Sequence, residues 1–220
     1  MRHKLRSEGF WFALRSVCDD DAAFIVALRK NPRAWALHPG ARSVDEQLAW
    51  LAAYYERPCN CDFVVQPMED GQAEGLIGVW HCGMQDRGAT WGRRVLREGS
   101  LAEPASVFLL FRTALETLEC ESVSSTPSPR RPRSFPFYDR YATAERRLEE
   151  HFLLGDGRFD AVEHKRRRHD WPRVAAVLAD AALEGRTEPR APFAAGHTSR
   201  RGTTGAGRRA AVSRQAGGPC

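Results

Sequence analysis

A loop of small residues between a predicted strand and a predicted helix is the segment best suited to bind an anion. The strand covers Thr90–Leu96, the loop covers Arg97–Glu103, and the helix begins near Pro104. Free backbone N–H groups and the helix dipole meet at such a junction and favour negative charge. A nucleotide pyrophosphate is therefore the natural ligand. The loop lacks the Gly-Lys-Ser/Thr of a phosphate loop, so an ordinary strand–helix connection remains the alternative.

Cysteines near one histidine raise the question of a metal site. Cys59, Cys61 and Cys82 are accompanied by His81. The Cys-x-Cys spacing differs from the Cys-x₂-Cys that is common in zinc sites. We therefore expect reduced thiols in strands and loops, with no bound metal and no disulfide framework.

Proton transfer requires a titratable side chain near the reacting atoms, and His81 is the first candidate base. A histidine exchanges protons near neutral pH, which suits general base catalysis. A partly exposed strand histidine is the alternative, and Glu98 and Asp86 are weaker candidates. The basic run His164–His169 has the composition of a nucleic-acid contact, but we favour a solvated helix face.

The elements that must position these residues follow from local signals. Ser43 begins a capping box with Glu46, and the helix after it would place Leu48 and Leu51 on one apolar face. Asp70-Gly71 is a hairpin signal. The predicted strands are Phe10–Val17, Asp62–Gln66, Gly75–Cys82, Ala89–Leu96 and Cys120–Ser124, and the predicted helices are Ala22–Lys30, Ser43–Glu56 and Pro104–Leu118. This order predicts an α/β fold with a single mixed, largely antiparallel sheet flanked by helices.

The pattern changes after residue 123. Residues 124–136 form an irregular insert rich in proline, serine and arginine, and proline in a strand would damage the last part of the sheet. The segments Phe137–Glu150, Phe159–His169 and Trp171–Leu183 have helical character, while Glu149–Leu154 could be a strand. We predict one domain over residues 1–184 and a basic, disordered tail over 185–220.

Charge and hydropathy exclude several classes of protein. The chain has 220 residues, 33 basic and 28 acidic, with a net charge of +5. Seven arginines and one glutamate lie in residues 185–220, so the remainder carries a net charge of −1. A basic tail, rather than a basic domain, explains the excess, which argues against nucleic acid as the partner. No apolar run reaches the about 18 residues of a membrane span, and no signal-peptide core is present, so we expect a cytoplasmic protein without membrane contact.

Several stretches of the chain resemble the GNAT-family N-acetyltransferases. The stretch LRSVCDDDAAFIVALRKNP is similar to the first strand and first helix of that family. DFVVQPMEDGQAEGLIGVW resembles its hairpin, and ATWGRRVLREGS with the apolar helix after it resembles its cofactor-binding strand, loop and helix. The pattern Trp-Gly followed by Gly-Ser resembles the sequences of a branch that acts on small amines, including amino sugars attached to nucleotides.

The resemblance implies acetyl-CoA as co-substrate and assigns it a site. The strand containing Arg94, Val95 and Leu96 would separate from the next strand and pair with the pantetheine arm through its backbone. The loop after it would hold the pyrophosphate through Arg97 and the residues that follow. The implied loop residues are Gly99, Ser100, Leu101 and Ala102. The family's Arg/Gln-x-x-Gly-x-Gly/Ala loop is only partly retained here.

The resemblance also implies direct attack of a primary amine on the thioester. The family's segment similar to FYERxG appears here as FYDRY, which makes Tyr138 the acid that protonates the leaving thiolate; an aromatic packing role is the alternative. The acceptor would be an amino sugar, a protein N-terminus or a small metabolite. A homodimer is possible. A degenerate, non-catalytic GNAT-like binding protein is the competing hypothesis, because the insert and the altered loop depart from the family.

Overall fold

The fold is described from a computed structural model of the chain. The structure describes residues 3–30, 40–82, 87–127, 144–154 and 157–184. Within these residues one mixed sheet of eight strands is flanked by helices, which confirms the predicted fold class. The expected tail and most of the expected insert lie outside the described residues.

The sheet is antiparallel except at one junction. Its strand order is β1-β2-β3-β4-β5-β6-β8-β7, and β5 with β6 is the parallel pair. The strands are β1 Arg6–Gly9, β2 Phe12–Ser16, β3 Asn60–Pro67, β4 Gly75–Trp80, β5 Gly88–Leu96, β6 Ser122–Ser125, β7 Ala144–Leu154 and β8 Gly157–Arg167. The helices are α1 Ala22–Arg29, α2 Val44–Tyr55, α3 Glu103–Arg112 and α4 Trp171–Glu184.

Two hydrophobic clusters cover the two faces of the sheet. On one face α1 and α2 pack through Ile25, Leu51 and other residues against Val64 and Val95. On the other face α3 and α4 pack against Phe63 and further residues of the central strands. The cover on both faces explains why β3 is buried along most of its length.

The first predicted strand is half of a hairpin. Phe10 and Trp11 adopt left-handed backbone angles, with φ of 52° and 64°, and turn the chain between β1 and β2. The sequence analysis assigned Phe10–Val17 to a single strand and missed β1, because no glycine or asparagine stands at these two turn positions.

The cap of α2 is confirmed, but the buried face of α2 is rotated. The Ser43 hydroxyl accepts a hydrogen bond from the Glu46 amide at 3.1 Å, while the Glu46 carboxylate accepts one from the Arg42 amide rather than from Ser43. The buried residues are Gln47, Leu51 and Tyr54, and Leu48 is exposed. The polar Gln47 and Tyr54 therefore face the sheet, where an apolar stripe was expected.

The second half of the chain differs most from expectation. Residues 144–150 and Phe159–Arg167, which were expected to be helical, form the long strands β7 and β8. β8 pairs with β6 through Ser122–Ser125, so the expectation that the last strands are damaged is wrong for the part described. The helix after residue 170 and the strand character of Glu149–Leu154 are confirmed. The helix predicted over Pro104–Leu118 ends as an α-helix at Arg112 and continues as a wider π-helical turn to Thr117.

We predict that Asp21→Ala destabilises the domain by about 2 to 3 kcal/mol at pH 7. Asp21 is buried, and both of its carboxylate oxygens accept hydrogen bonds of 2.7 Å from Arg15. Burial by itself would raise the pKa of Asp21, but Arg15 and the Cys18 amide outweigh it and lower the pKa. Denaturant unfolding of both proteins measures the difference.

The Arg15–Asp21 pair also makes the stability of the folded domain depend on pH in a defined direction. A carboxylate whose pKa is lowered on folding stabilises the folded state above its unfolded pKa, and this stabilisation is lost as pH falls through the folded pKa. The wild-type and Asp21→Ala proteins should therefore converge in stability below the ordinary carboxylate range. The exposed neighbour Asp20→Ala is the control, and an equal loss in that variant would contradict the assignment to the Arg15 pair.

Candidate active site

The parallel pair β5 and β6 separates after three residues. Gly88, Ala89 and Thr90 pair with Ser122, Val123 and Ser124 respectively, and the pairing stops there. β5 continues to Leu96, whereas β6 ends at Ser125. Within the described part of the chain the second half of β5 therefore has a strand partner only on the β4 side. Such a backbone edge can pair with an extended ligand.

A bulge distorts β5 within this unpaired half. Gly78 of β4 pairs with Gly92, and Leu76 pairs with Val95, so two residues of β5 oppose one residue of β4. Arg93, the first of the two, has a left-handed φ of 53°. Bulges redirect side chains and often lie next to active sites. Here the bulge directs Arg93 toward Asp62, at 3.1 Å, and over the ring of Trp80, at 4.7 Å.

A cavity of about 260 Å³ lies between the α1–α2 layer and the sheet. Its lining combines apolar residues with three charged ones, Arg29, Asp62 and Arg93. The other lining residues are Val17, Ile25, Gly40, Ala41, Gln47, Trp50, Leu76 and Ile77. Since Arg93 belongs to the bulge, the cavity adjoins β5 close to the point where β5 leaves β6.

Asp62 supplies the carboxylate of this cavity. Burial raises the pKa of Asp62, and the nearby Arg93 and Arg29 guanidinium groups oppose that effect without cancelling it. The Tyr54 hydroxyl accepts a hydrogen bond from the Asp62 amide at 2.7 Å and fixes the backbone there. Gly78, the partner of Asp62 on β4, leaves the space that the carboxylate occupies, because a Cβ at Gly78 would lie 2.1 Å from Asp62 Oδ1.

On the α2 side the cavity is lined by Gln47 and Trp50, and Tyr54 stacks on Trp50 without being among the described lining residues. The rings of Trp50 and Tyr54 stack with centroids 5.3 Å apart and an interplanar angle of 6°. The Arg93 guanidinium lies 6.0 Å from the centre of the Trp50 ring. Burial raises the pKa of Tyr54 above its ordinary range, so its hydroxyl stays protonated and neutral. Among the described residues that line the cavity, Asp62 is therefore the candidate proton acceptor.

The sequence-predicted loop lies at the end of β5. The Arg97 amide donates to the Glu74 carbonyl at 2.7 Å, and Gly99 has a left-handed φ of 76° with open space around its missing side chain. The Ser100 hydroxyl donates to the Glu74 carboxylate at 2.7 Å and accepts from the Ala102 amide at 3.2 Å. The loop therefore holds a defined shape.

The start of α3 has room for an anion, although acidic residues surround it. Ala102 is the N-cap of α3 and makes no side-chain capping hydrogen bond. Glu103 in the first turn is paired with Arg94, which neutralises it. Val95 is buried in the α1–α2 cluster, whereas the partly exposed Leu96 packs against the opposite cluster. The eight residues predicted to contact a cofactor, Arg94, Val95, Leu96, Arg97, Gly99, Ser100, Leu101 and Ala102, thus follow one continuous path beside the gap.

The structure places the predicted catalytic residues apart from the cavity or leaves them undescribed. His81 follows β4 with a left-handed φ of 61°, is exposed, and is not among the described residues that line the cavity. Tyr138 lies outside the described residues. Both remain predictions. Trp91 is buried in the cluster on the opposite face, with its ring edge-on to Phe111.

The cysteines form a packed group rather than a metal site in the part of the chain described. Cys61, Cys82 and Cys120 are buried together, and no group of three or more metal-binding side chains suits a metal ion among the described residues. The Cys120 thiol lowers the pKa of Cys82, but Cys61 and burial outweigh it and raise that pKa to about 12. The Cys82 thiol is therefore protonated at neutral pH.

Asp62 is the functional candidate that the sequence analysis missed. It stands between Cys61 and Phe63 in a strand whose neighbours are apolar, so its carboxylate is expected to face a core rather than water. That isolated charge was the available signal. Arg93 and Arg29 could not be recognised as its partners, because the bulge and the packing of α1 bring them to it.

The fold occurs in solved structures of acetyltransferases. A GNAT that acts on a nucleotide-linked sugar, FdhC in its apo form, is 16% identical with a TM-score of 0.66, over 80% of this chain and 98% of that chain. A variant of the spermidine N-acetyltransferase SpeG from Vibrio cholerae is 16% identical with a TM-score of 0.63, over 74% and 98%. A protein from T. thermophilus assigned as an acetyltransferase is 22% identical with a TM-score of 0.66, over 82% and 98%.

The chain has the fold of the GNAT acetyltransferases, as the sequence resemblance indicated. The similarity lies in structure at low sequence identity. No protein-family model matches the chain, and no curated protein matches its sequence. Among the described residues no helix is long and apolar enough to cross a membrane.

Proposed function

We propose that the protein is an acetyl-CoA-dependent N-acetyltransferase that acetylates a primary amine. The observation that carries the proposal is the separation of β5 from β6 beside a cavity that contains the Asp62 carboxylate. The gap supplies a backbone edge for the pantetheine arm, and the cavity supplies a place for the amine. The GNAT fold of acetyltransferases supports the same assignment.

The residues along the gap fit the proposed co-substrate. Backbone groups of Arg94, Val95 and Leu96 would pair with the amides of the arm, and the turn around Gly99 with the start of α3 would face the pyrophosphate. Pairing of Glu103 with Arg94 removes one repulsive charge from that end. Acetyl-CoA supplies the activated acyl group, and no metal is needed for this chemistry.

Asp62 is the proposed base. An amine is a cation at neutral pH and attacks only after losing a proton. The Asp62 carboxylate attracts the ammonium group into the cavity and accepts its proton, directly or through one water. The amine nitrogen then bonds to the acetyl carbon, the carbon–sulfur bond breaks, and the nitrogen loses its second proton to solvent to give the neutral amide. Tyr138 remains the proposed donor of a proton to the leaving thiolate, on the resemblance of FYDRY to the family segment.

Release of free thiol from acetyl-CoA in the presence of amines tests the proposal. We expect amine-dependent release that matches the amount of N-acetylated product found by mass spectrometry. Tyr138→Phe should lower kcat with little change in acetyl-CoA affinity. A folded protein that binds acetyl-CoA but acetylates none of a broad panel of amines would contradict catalysis.

We predict that Leu101→Asp weakens acetyl-CoA binding at least tenfold. Leu101 lies in the turn before α3, and a carboxylate there would repel the pyrophosphate at the positive end of the helix. Leu101→Asn is the matched control, because it changes the polarity but not the charge. Calorimetric titration measures both variants. An equal loss of affinity in the two would show that the charge is irrelevant and would place the pyrophosphate elsewhere.

A further inference from the structure

Among the described residues that line the cavity, two guanidinium groups accompany one carboxylate. Arg29 and Arg93 both interact with Asp62, so these three groups together carry one positive charge in excess. Arg93 forms an ion pair with Asp62, in which Nη1 and Oδ2 are 3.1 Å apart. Arg29 interacts with Asp62 through space, and no hydrogen bond between them is recorded among the described residues.

Arg29 is held in the wall of the cavity by its surroundings. It is the last residue of α1, and its aliphatic stem packs where a side chain at position 40 would be, since a Cβ on Gly40 would lie 2.5 Å from Arg29 Cδ. Its Nε is buried and has no hydrogen-bond partner within the part of the chain that the structure describes. Burial lowers the pKa of Arg29, Asp62 opposes that effect, and Arg93 adds to it. A largely buried guanidinium in this position is stabilised by an anion.

We infer that the acceptor is a small amine that also carries an anionic oxygen group, a carboxylate or a phosphate, which Arg29 binds while Asp62 binds the amine. The inference rests on the proposed function for the site. The volume of about 260 Å³, set against about 30 Å³ for one water, holds roughly ten heavy atoms. The amine and the anionic group are therefore separated by only a few bonds.

The charge of Arg29 makes this cavity unsuitable for a polyamine. A second ammonium group would meet the Arg29 guanidinium in this partly open cavity and be repelled there. An uncharged amine would leave the same guanidinium without a counter-charge. The anionic amine alone satisfies both Asp62 and Arg29.

Matched amines test the inference. For a carboxylate group, β-alanine is compared with propylamine. For a phosphate group, phosphoethanolamine is compared with ethanolamine. The dication 1,3-diaminopropane represents a polyamine. We expect kcat/KM for the preferred anionic amine to exceed that of its uncharged partner at least tenfold, chiefly through KM. The pair with the larger ratio of kcat/KM values shows whether the anionic group is a carboxylate or a phosphate. Equal or better use of the uncharged amines or of the dication would overturn the inference.

Variants of Arg29 assign the effect to one side chain. Arg29→Gln should lower kcat/KM for the anionic amine about 10- to 100-fold more than for its uncharged partner, and Arg29→Lys should restore part of that difference. Arg173→Gln is the charge-matched control, because Arg173 is exposed on α4, which packs on the opposite face of the sheet, and is not among the described residues that line the cavity. Equal losses with both amines in Arg29→Gln would overturn the inference.

A binding measurement distinguishes failure of the inference from failure of the proposed function. Calorimetry of the wild-type protein and Arg29→Gln with β-alanine and phosphoethanolamine, in the presence of desulfo-CoA, needs no turnover. Arg29-dependent binding without acetylation would contradict the proposed function and support the anionic ligand. Acetylation of uncharged amines without Arg29-dependent binding would support the proposed function and contradict the anionic ligand.

Discussion

Asp62→Asn should lower kcat/KM about 100-fold or more while leaving acetyl-CoA affinity unchanged. General base catalysis contributes about 10² to 10⁴ in rate, and asparagine keeps the shape of the side chain but cannot accept the proton. The Tyr54 hydroxyl holds the backbone of residue 62 and not its carboxylate, so that support survives the substitution. The measurement is steady-state thiol release with the best amine, beside calorimetry with acetyl-CoA.

The pH profile of the same variant separates a base from a merely structural carboxylate. Asp62 works as a base only when it is deprotonated, so wild-type kcat/KM should rise with pH through the raised pKa of that carboxylate. Burial raises this pKa, and the guanidinium groups of Arg93, Arg29 and Arg57 oppose the rise. In Asp62→Asn the rise should follow the pKa of the acceptor amine instead and shift when the amine is changed.

Two further variants make the Asp62 assignment falsifiable. Asp20→Asn removes an exposed carboxylate from the same domain and should leave activity and the pH profile unchanged. His81→Gln tests the base proposed from the sequence. Loss of activity in His81→Gln, together with near wild-type rates in Asp62→Asn, would contradict the role of Asp62 and favour His81.

We expect Gly78→Ala to lower kcat/KM about tenfold or more, although the substitution removes no charged group. Its Cβ would fall 2.1 Å from Asp62 Oδ1, so the carboxylate must move away from the position that Arg93 pairs with. Misplacing a catalytic group by about 1 Å costs up to about 100-fold. Gly78 lies in a strand without a positive φ, so the backbone itself accepts alanine. Rates and pH profiles of the variant measure the effect.

The double variant shows whether Gly78 acts through Asp62. In the Asp62→Asn background, Gly78→Ala should cause little further loss, because the group that it displaces no longer serves as a base. Gly9→Ala is the matched control, since its Cβ would make only ordinary contacts, 3.4 Å from Leu109. Fully multiplicative losses in the double variant would show that Gly78 acts by another route.

Local signals in the sequence predicted the first half of the fold well. The Ser43 cap, the Asp70-Gly71 turn and the proline at the start of α3 each act within a few residues of their own position, so pattern reasoning detects them. The strand–loop–helix unit at β5 and α3 could be predicted for the same reason. The separation of β5 from β6 was expected from the family resemblance alone.

Features set by distant partners could not be predicted. Phe159–His169 was expected to be helical, whereas most of it belongs to β8, whose pairing with β6 and β7 determines its conformation. Likewise, the role of Asp62 depends on Arg93, which lies 31 residues away, and on a bulge that no local motif marks. The sequence thus indicated the gap but not the cavity beside it.

Calorimetric titration with acetyl-CoA, run beside desulfo-CoA, tests the central claim most directly. The account predicts one site per chain with a dissociation constant on the order of micromolar for both ligands, since both carry the arm and the pyrophosphate that the β5–β6 gap and the loop would bind. Binding of neither ligand by a protein that still unfolds cooperatively would contradict the account. The chain would then be a folded relative of the GNAT enzymes without their co-substrate.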